Sequence, residues 1–233
     1  MGPVNADVFP AAALGAQAIT LPCGTVLWLL AQRAVWWPAA STAFVADVHF
    51  GKAASFRRAG LPVPQGTTAD NLARLDAVLA ATGAQHLVFL GDFLHARSGA
   101  DEGLWRQLLP WRERHARLRM TLVRGNHDLH AGDPLPALGI GLADEPWPPV
   151  RGHEVLACHH PQAVAGATVL AGHLHPTARL YGPARDSLRL ACFAWAPGLL
   201  VLPAFGAFTG SAPYRWPAGT QRFAVADSAV LRI

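Results

Sequence analysis

The sequence predicts an α/β protein, and three observations lead to this prediction. Five apolar segments end in polar loops, as strands do when they deliver side chains to the edge of a sheet. Helical segments separate the first three of these strands, and short strands follow one another directly from residue 187 onward. Hydrophobic residues make up 52% of the 233 positions and charged residues only 15%, so the chain can bury a large core. Because no linker interrupts the sequence, we expect a single domain over residues 1–233.

The N-terminal part is expected to contain a loose arm and then short strands. Residues 1–17 are alanine-rich and show no periodicity, which indicates the arm. Turn residues such as Pro22-Cys23-Gly24 then separate apolar segments of strand length. The segment Ala43–Ala46 is apolar throughout, which is typical of a buried strand, and it ends at Asp47. The three strands expected before it are Ala18–Leu21, Val26–Leu30 and Arg33–Trp37.

Two helices and a strand are predicted after this point. Lys52–Ala59 has the length of a short helix, which Gly60 stops. Thr67 and Thr68 are expected to cap a longer helix that carries its leucines on one face. The strand His86–Leu90 follows this helix and ends in a second polar loop.

The remaining elements are predicted from the same signals. A third helix is expected over about Ala100–His115, and Pro110 should kink it or divide it into two pieces. After the strand Met120–Arg124, the Pro- and Gly-rich passage Ala131–Gly152 is expected to be irregular and could form a flap. The last four strands should be antiparallel, because short turns join them. The strands expected after residue 152 are Glu154–Cys158, Thr168–Ala171, Leu188–Phe193, Leu199–Leu202, Arg222–Ala226 and Ala229–Ile233.

Polar side chains that can bind metal follow five of the predicted strands. The ends of such strands meet at one edge of a sheet, so we expect these groups to converge. Carboxylate, imidazole and carboxamide ligands without a thiolate favour Mn²⁺, Fe or Zn²⁺. Two such ions ~3.5–4 Å apart can clamp the attacking and leaving oxygens of a displacement at phosphorus, with a bridging hydroxide as the nucleophile. The candidates are Asp47, His49, Asp92, Asn126, His127, Asp128, His159, His173 and His175.

The centre of this set is Gly125-Asn126-His127-Asp128. Three consecutive polar residues cannot share one helix face, so they are expected to fan out from a loop that begins at Gly125. Such a loop can offer an oxygen ligand, an acid/base imidazole and a carboxylate to orient the imidazole.

These motifs resemble the calcineurin-like metallophosphoesterases in content and order. The resemblance implies a sandwich of two mixed β-sheets flanked by helices. It also implies that Asp92 bridges two ions, and that His127, oriented by Asp128, faces the phosphate and steadies or protonates the leaving oxygen. His159 is expected to be a ligand in preference to His160, because the family pattern is His-x-Pro. By resemblance the first ion is held by Asp47, His49 and His175, and the second by Asn126, His159 and His173.

One departure from the family pattern concerns the loop after Asp92. Many members have a second aspartate where this chain has His95, and phosphoprotein phosphatases have an arginine where it has Ala96. The departure argues against a Ser/Thr protein phosphatase. Four residues near the first two loops are expected to contact substrate: Lys52, Arg57, Arg58 and His95.

A narrower resemblance covers most of the chain. The segments 47–57, 91–95, 187–190 and 202–206 are similar to the bacterial ligase-associated DNA damage response endonucleases. This similarity implies a manganese enzyme that hydrolyses phosphodiesters of single-stranded or partly single-stranded DNA in repair. The implied functional associates are a helicase, a nuclease-like protein and a DNA ligase. Two alternatives stay open: a small-molecule phosphoesterase, such as a nucleotide or nucleotide-sugar pyrophosphatase, and a catalytically silent DNA-repair scaffold.

Charge and cysteine content set the expected environment. Three widely spaced cysteines, no basic residue before Arg33 and no uninterrupted apolar span favour a cytoplasmic protein without a membrane segment. The formal net charge is +4, and Lys52 is the only lysine. A mild positive charge suits a polyanionic partner such as DNA. The arginine-rich stretch around residues 106–119 is expected mainly to be a solvated helix face.

Overall fold

Two mixed β-sheets organise the computed structural model of this chain, which describes residues 15–63, 65–182, 186–210 and 214–233. Most of the expected N-terminal arm, residues 1–14, lies outside the described residues. Gln17 already belongs to the first strand, so the expectation of an arm extending to residue 17 is wrong at that end.

The first sheet has seven strands in the order in which they occur in the chain. The first four pair antiparallel, and the fourth to the seventh pair parallel. The strands are β1 (Gln17–Thr20), β2 (Val26–Leu30), β3 (Ala34–Trp37), β4 (Thr42–Ala46), β5 (His86–Leu90), β6 (Arg119–Val123) and β7 (Ile140–Ala143).

Four helices are interleaved with the parallel strands. The first two connect β4 to β5, the third connects β5 to β6, and the fourth follows β6. Their bounds are α1 (Lys52–Arg58), α2 (Thr67–Thr82), α3 (Glu102–Arg114) and α4 (Asn126–Ala131). This alternation of parallel strands and helices brings the carboxyl ends of β4, β5 and β6 to one edge of the sheet.

The second sheet is also mixed and has the order β14-β13-β11-β12-β9-β8, with β10 paired to β11. β12, β9 and β8 pair parallel, and the other pairs are antiparallel. Its strands are β8 (Val155–Ala157), β9 (Thr168–Ala171), β10 (Thr177–Tyr181), β11 (Ser187–Ala196), β12 (Leu199–Val201), β13 (Gln221–Ala226) and β14 (Ala229–Arg232). The predicted α/β sandwich of two mixed sheets flanked by helices is confirmed.

Strand alternation explains how the first sheet is buried on both faces. Phe44 and Ala46 of β4 belong to a core cluster that includes Phe193 and Leu200 of the second sheet. The intervening residues of β4 point the other way, into a cluster with α2 and α3. All five residues of β4 are buried, as the apolar run predicts for a central parallel strand.

The segment after Gly125 is a helix and not the predicted loop. Asn126–Ala131 forms α4, with Gly125 as its N-cap in an extended conformation. Consecutive helical residues diverge by about 100° around the axis, so a helix start separates three neighbouring side chains as effectively as a loop does. The carboxylate of Asp128 stabilises the start of α4 by accepting a hydrogen bond from Gly125 N at 2.9 Å.

Three smaller expectations also differ from the structure. The passage predicted to be irregular contains β7, which pairs with β6 and thereby extends the sheet. Pro110 does not divide α3, because the helix packs an apolar face into the core and tolerates the loss of one backbone hydrogen bond. The cap of α2 is Gly66 in a left-handed conformation, and neither Thr67 nor Thr68 caps it. β10 is a strand that the sequence analysis did not predict.

Among the described residues, no helix combines the length and apolar character needed to cross a membrane. The three cysteines are unpaired, and only Cys23 is exposed.

Candidate metal centre

The predicted ligands gather where the carboxyl ends of the parallel strands meet. Asp47 N donates a hydrogen bond to Gly91 O at 3.3 Å, and His49 N donates one to Asp92 O at 2.9 Å. These bonds continue the β4–β5 pairing into the two loops. Ala46 also pairs with Ala204, so the same edge joins the chain that follows β12.

The first group of side chains surrounds Asp47. The Nε2 atoms of His49 and His175 are 3.4 Å apart, and His175 Nε2 lies 3.5 Å from Asp47 Oδ1. These three residues place their ligand atoms within 4.8 Å of one another. His49 Nε2 also lies 3.7 Å from Asp92 Oδ2. This group is the expected first ligand set.

The second group surrounds His159. Its Nε2 lies 2.9 Å from Asn126 Oδ1 and 3.0 Å from His173 Nδ1. Asp92 Oδ1 is 3.5 Å from the same nitrogen. Asp92 therefore presents Oδ2 to the first group and Oδ1 to the second, the arrangement expected of a bridging carboxylate. All seven predicted ligands are brought together.

The backbone at these positions is unusual. Five of the seven predicted ligand residues have a positive φ, a conformation that residues other than glycine rarely adopt. It turns each side chain abruptly out of the strand direction and toward the common centre. The five are Asp47 (54°), His49 (50°), Asp92 (49°), His173 (68°) and His175 (46°).

Three glycines allow the loops to approach one another this closely. A Cβ atom on Gly91 would overlap the His159 ring, and one on Gly172 would lie 2.7 Å from Asp47 Oδ2. On Gly125 it would lie 2.5 Å from Asp92 Oδ1. The space around both carboxylates therefore depends on the absence of these side chains.

The electrostatics of the cluster favour a bound cation. Asp47 and Asp92 have exposed fractions of 0% and 2% and lie close together. Burial and the neighbouring Asp47 charge raise the pKa of Asp92 to about 6. Burial and the nearby Lys52 charge lower the pKa of His49, which keeps its imidazole neutral and able to bind metal.

The clustered side chains have the chemistry of a cation site. Two buried carboxylates, a carboxamide oxygen and four imidazoles face one another, and the Nε2 atoms of His49 and His175 are only 3.4 Å apart. His49 Nδ1 is buried without a hydrogen-bond partner among the described residues. Such crowding is costly unless cations compensate it, so these residues fit two divalent ions.

Two adjacent histidines are distinguished by their partners. His159 is fully buried, and its Nδ1 lies 3.1 Å from Leu90 O, which leaves Nε2 for the cluster. His160 instead places Nδ1 2.6 Å from Glu145 Oε1. This arrangement favours His159 as the ligand.

Glu145 is a residue that the sequence analysis did not identify. Its Oε2 accepts hydrogen bonds from the backbone nitrogens of His159 (2.6 Å) and His160 (2.8 Å). It lies in the passage predicted to be irregular, where a lone glutamate gives no signal of this role. Glu145 thus fixes the loop that carries the second ligand group.

The expected contact between Asp128 and His127 is replaced by another arrangement. Asp128 Oδ1 accepts hydrogen bonds from Phe93 N and Leu94 N at 3.0 and 3.2 Å. His127 Nδ1 lies 2.7 Å from the carbonyl oxygen of His95. The prediction that Asp128 directly orients His127 is therefore wrong, because Asp128 instead holds the loop whose carbonyl does so.

His95 and His127 form a stacked pair at the rim. Their ring centroids are 5.0 Å apart with an interplanar angle of 26°. Burial and the Lys52 charge lower the pKa of His95 to about 4, so its ring is neutral near pH 7. His127 Nε2 lies 3.9 Å from Asp92 Oδ2, and its side chain is 37% exposed. The ring can thus reach both the cluster and a molecule bound from solvent.

The three basic residues of α1 lie in different surroundings. Lys52 is half-buried, and the charges of Asp92 and Asp47 act on it. Arg58 Nη2 pairs with Asp101 Oδ2 at 2.7 Å, and Arg57 lines a pocket that also contains Asp101 and Gln107. Of the expected substrate contacts on α1, Lys52 interacts electrostatically with the two carboxylates of the metal cluster, whereas Arg58 pairs with Asp101 at the start of α3.

Comparison with known proteins agrees with this geometry. A model of the calcineurin-like phosphoesterase family matches residues 40–183. The solved structure of Pseudomonas putida nuclease MPE is 39% identical, with a TM-score of 0.79 over 94% of this chain and 100% of that one. A search of curated proteins found no match.

Two other solved structures are more distant. The phosphoesterase Yfce from E. coli is 17% identical, with a TM-score of 0.41 over 82% of this chain and 97% of its own. A protein of unknown function from Aquifex aeolicus is 19% identical, with a TM-score of 0.37 over 57% and 78%. The family match and the nuclease similarity show that this chain, a metal-dependent phosphoesterase, belongs to the calcineurin-like phosphoesterase family.

Proposed function

We propose that this protein is a two-metal nuclease that hydrolyses DNA phosphodiester bonds. The observation that carries the proposal is the position of Asp92, whose two carboxylate oxygens face two separate ligand groups. The 39% identity to a nuclease over nearly the whole chain favours nucleic acid as the substrate. The proposal extends to DNA that is single-stranded or has single-stranded regions.

In this proposal the seven clustered residues hold the metal ions. Asp47, His49 and His175 hold one ion and Asn126, His159 and His173 hold the other, with Asp92 shared. When bound, two divalent ions supply positive charge to the phosphate oxygens and lower the pKa of a water molecule. Manganese is the proposed metal, with iron or zinc as alternatives that the same donors suit.

His127 is proposed as the acid that protonates the leaving oxygen. Its Nδ1 is directed at the His95 carbonyl, so Nδ1 carries a proton, and Nε2 lies on the side of Asp92, where the substrate phosphate would bind. The stacked His95 ring and the shared loop limit rotation of His127. A proton on Nε2 can then pass to an oxygen that departs from phosphorus at the rim.

Lys52 is proposed to contact a phosphate oxygen of the substrate. It begins α1, directly after the loop of the first ligand group, and its charge acts on both cluster carboxylates. His95 is proposed to act mainly through His127. Arg57 and Arg58 remain candidates for contacts farther along the DNA, with Arg58 first having to leave Asp101.

The wider setting is also a proposal. A role in DNA repair in the cytoplasm, together with a helicase, a nuclease-like protein and a DNA ligase, follows only from the motif resemblance. We further propose that residues 1–233 form one domain, which is supported by the core that the two sheets share.

One assay series tests this function. A single manganese-loaded preparation is offered single-stranded DNA, bis-p-nitrophenyl phosphate, nucleotides and nucleotide sugars, with the Asp92→Ala variant as the negative control. Cleavage of DNA by the native protein, lost in the variant, is the expected result. Hydrolysis confined to nucleotides or nucleotide sugars would favour the small-molecule alternative, and no hydrolysis of any substrate would favour a scaffold.

A further inference from the structure

A polar cavity with a volume of about 150 Å³ adjoins the metal cluster on the side of His175. Besides that ligand, it is lined by Arg33, Arg189, Thr177, Thr209 and Gly210. It has the volume of about five water molecules at about 30 Å³ each, which is enough for a tetrahedral anion. Apart from His175, none of the residues proposed to hold the metal ions or to transfer a proton lines this cavity.

Among the described residues, the arginine side chains that line this cavity are cationic. Two arginines face it, and none of its described lining residues is acidic. In the β10–β11 pairing, Arg179 lies opposite Arg189, so a third guanidinium stands on the same face of the sheet. The cavity is therefore suited to an anion, and the hydroxyl groups of two threonines can add hydrogen bonds.

The backbone conformation and the partial burial of Arg33 are both energetically unfavourable. It has a φ of 62° at the turn between β2 and β3, where glycine or asparagine is normally preferred. Its guanidinium is partly buried, which lowers its pKa, and burial together with the Arg33 charge lowers the pKa of Arg74 to about 10. A strained backbone and two neighbouring cations are costs that a bound anion would offset.

A purely structural role does not account for Arg33. Its hydrogen bonds to Ala204 O and Gly206 O, both from Nη1, measure 3.4 and 3.5 Å, the outer limit for such contacts. Arg74 already makes a close hydrogen bond to the carbonyl oxygen of Phe205 between them. In the described part of the chain, this leaves Nε and Nη2 of Arg33 able to donate to a ligand.

We propose that this cavity binds a second phosphate group of the substrate, next to the phosphate that is hydrolysed. The proposal rests on the function given above, because the cavity shares His175 with the first ligand group and its occupant would lie beside the scissile bond. A polynucleotide carries such a phosphate one nucleotide away, and the backbone phosphate is the ligand proposed. A nucleotide sugar offers the same chemistry from two directly linked phosphates, so the experiment separates the two sources.

The test compares Arg189→Gln and Arg33→Gln with Arg232→Gln, an exposed arginine on β14, as the matched control. Fluorescence anisotropy with a labelled oligothymidylate in EDTA measures binding without catalysis. Arg189→Gln should weaken binding about tenfold and reduce the salt slope by roughly one unit, since one phosphate contact is lost. The control should bind as the native protein does.

Turnover with manganese supplies the second readout. The ratio of kcat/KM for TpTpT to that for bis-p-nitrophenyl phosphate, which has a single phosphate, should fall about tenfold in Arg189→Gln. An unchanged ratio, or binding equal to that of the control, would overturn the proposal. If Arg33→Gln fails to fold, Arg189→Gln alone decides the question.

The failure of the proposed function would look different. Native protein that ignores TpTpT but hydrolyses a nucleotide sugar, with about a tenfold loss in Arg189→Gln, would keep the phosphate cavity and reject DNA as the substrate. Equal losses on every substrate would instead reject the cavity, because they indicate a general disturbance of the metal cluster.

Discussion

Replacing Gly125 by alanine should remove metal binding through a single methyl group. The added Cβ would lie 2.5 Å from Asp92 Oδ1 and 2.9 Å from His159 Cγ. Real Cβ atoms essentially never approach closer than 3.0 Å, so the Asp92 carboxylate and the start of α4 must move apart by at least 0.5 Å. Metal–ligand distances hold to about 0.2 Å, and a shift of this size is therefore too large for Asp92 to keep two ions.

The magnitude follows from linkage between binding and folding. Mutating residues that only support metal ligands changes affinity by about 10–100-fold, and here a proposed ligand itself is displaced. At a manganese concentration of 100 times Kd, an ion stabilises the native fold by about 2.7 kcal/mol, and after a hundredfold loss of affinity by about 0.4 kcal/mol. For a chain of this size, the rise in Tm on adding manganese should fall from roughly 5–10 °C to roughly 1 °C.

The assay is thermal unfolding of each protein in EDTA and in manganese, with ion content measured in parallel. Gly141→Ala is the matched control, because its Cβ would lie 3.6 Å from Met120 O, an ordinary contact on β7. A lower Tm of Gly125→Ala in EDTA alone is not decisive, since overpacking also destabilises the fold. Native-like ion content and manganese response in Gly125→Ala would refute the reasoning.

Three further predictions concern other residues. Native protein reconstituted with manganese should contain close to two ions per chain by elemental analysis, and a stoichiometry of one that Asp92→Ala leaves unchanged would contradict the bridged pair. His127→Ala should keep its metals but lose roughly 10²–10⁴-fold in DNA turnover, and less with a p-nitrophenolate leaving group; equal losses would contradict the proposed acid. His86, buried beside Thr121 and with its pKa lowered to about 4 by burial, should stabilise the fold fully above pH 6.5 and progressively less as the pH falls toward 4. In urea unfolding at pH 7.5 and 4.5, native protein should therefore lose roughly 2 kcal/mol more than His86→Gln, and identical losses would rule this out.

The strands that precede the proposed ligands could be predicted from the sequence, because each is short, apolar and followed by polar residues. β4 and β5 are buried on both faces, so their uninterrupted apolar runs admit few alternatives. The end of each strand then places Asp47 or Asp92 at the edge without further information. Position in the chain, more than residue type, therefore made the metal candidates recognisable.

The orientation of His127 could not be predicted in the same way. Its partner is the main-chain carbonyl of His95, and every residue has such a carbonyl. The predicted partner, Asp128, instead accepts hydrogen bonds from backbone nitrogens of the neighbouring loop and of Gly125. A hydrogen bond to a backbone atom does not depend on the type of the partner residue, so the sequence cannot indicate it. For the same reason the support that Glu145 gives to two backbone nitrogens was missed.

The left-handed residues of the cluster connect metal binding to folding. Five of the proposed ligand residues adopt this conformation, at roughly 1 kcal/mol each or more, with the aspartates nearer the lower end. Their sum of roughly 5 kcal/mol is comparable with the whole stability of an ordinary domain, about 5–15 kcal/mol. Glycine would remove this strain but would also remove the side chain proposed to bind metal. At each position the backbone conformation therefore favours glycine, whereas metal binding requires aspartate or histidine. Bound cations would satisfy both, because they would hold the loops in the turned conformation and neutralise the two buried carboxylates.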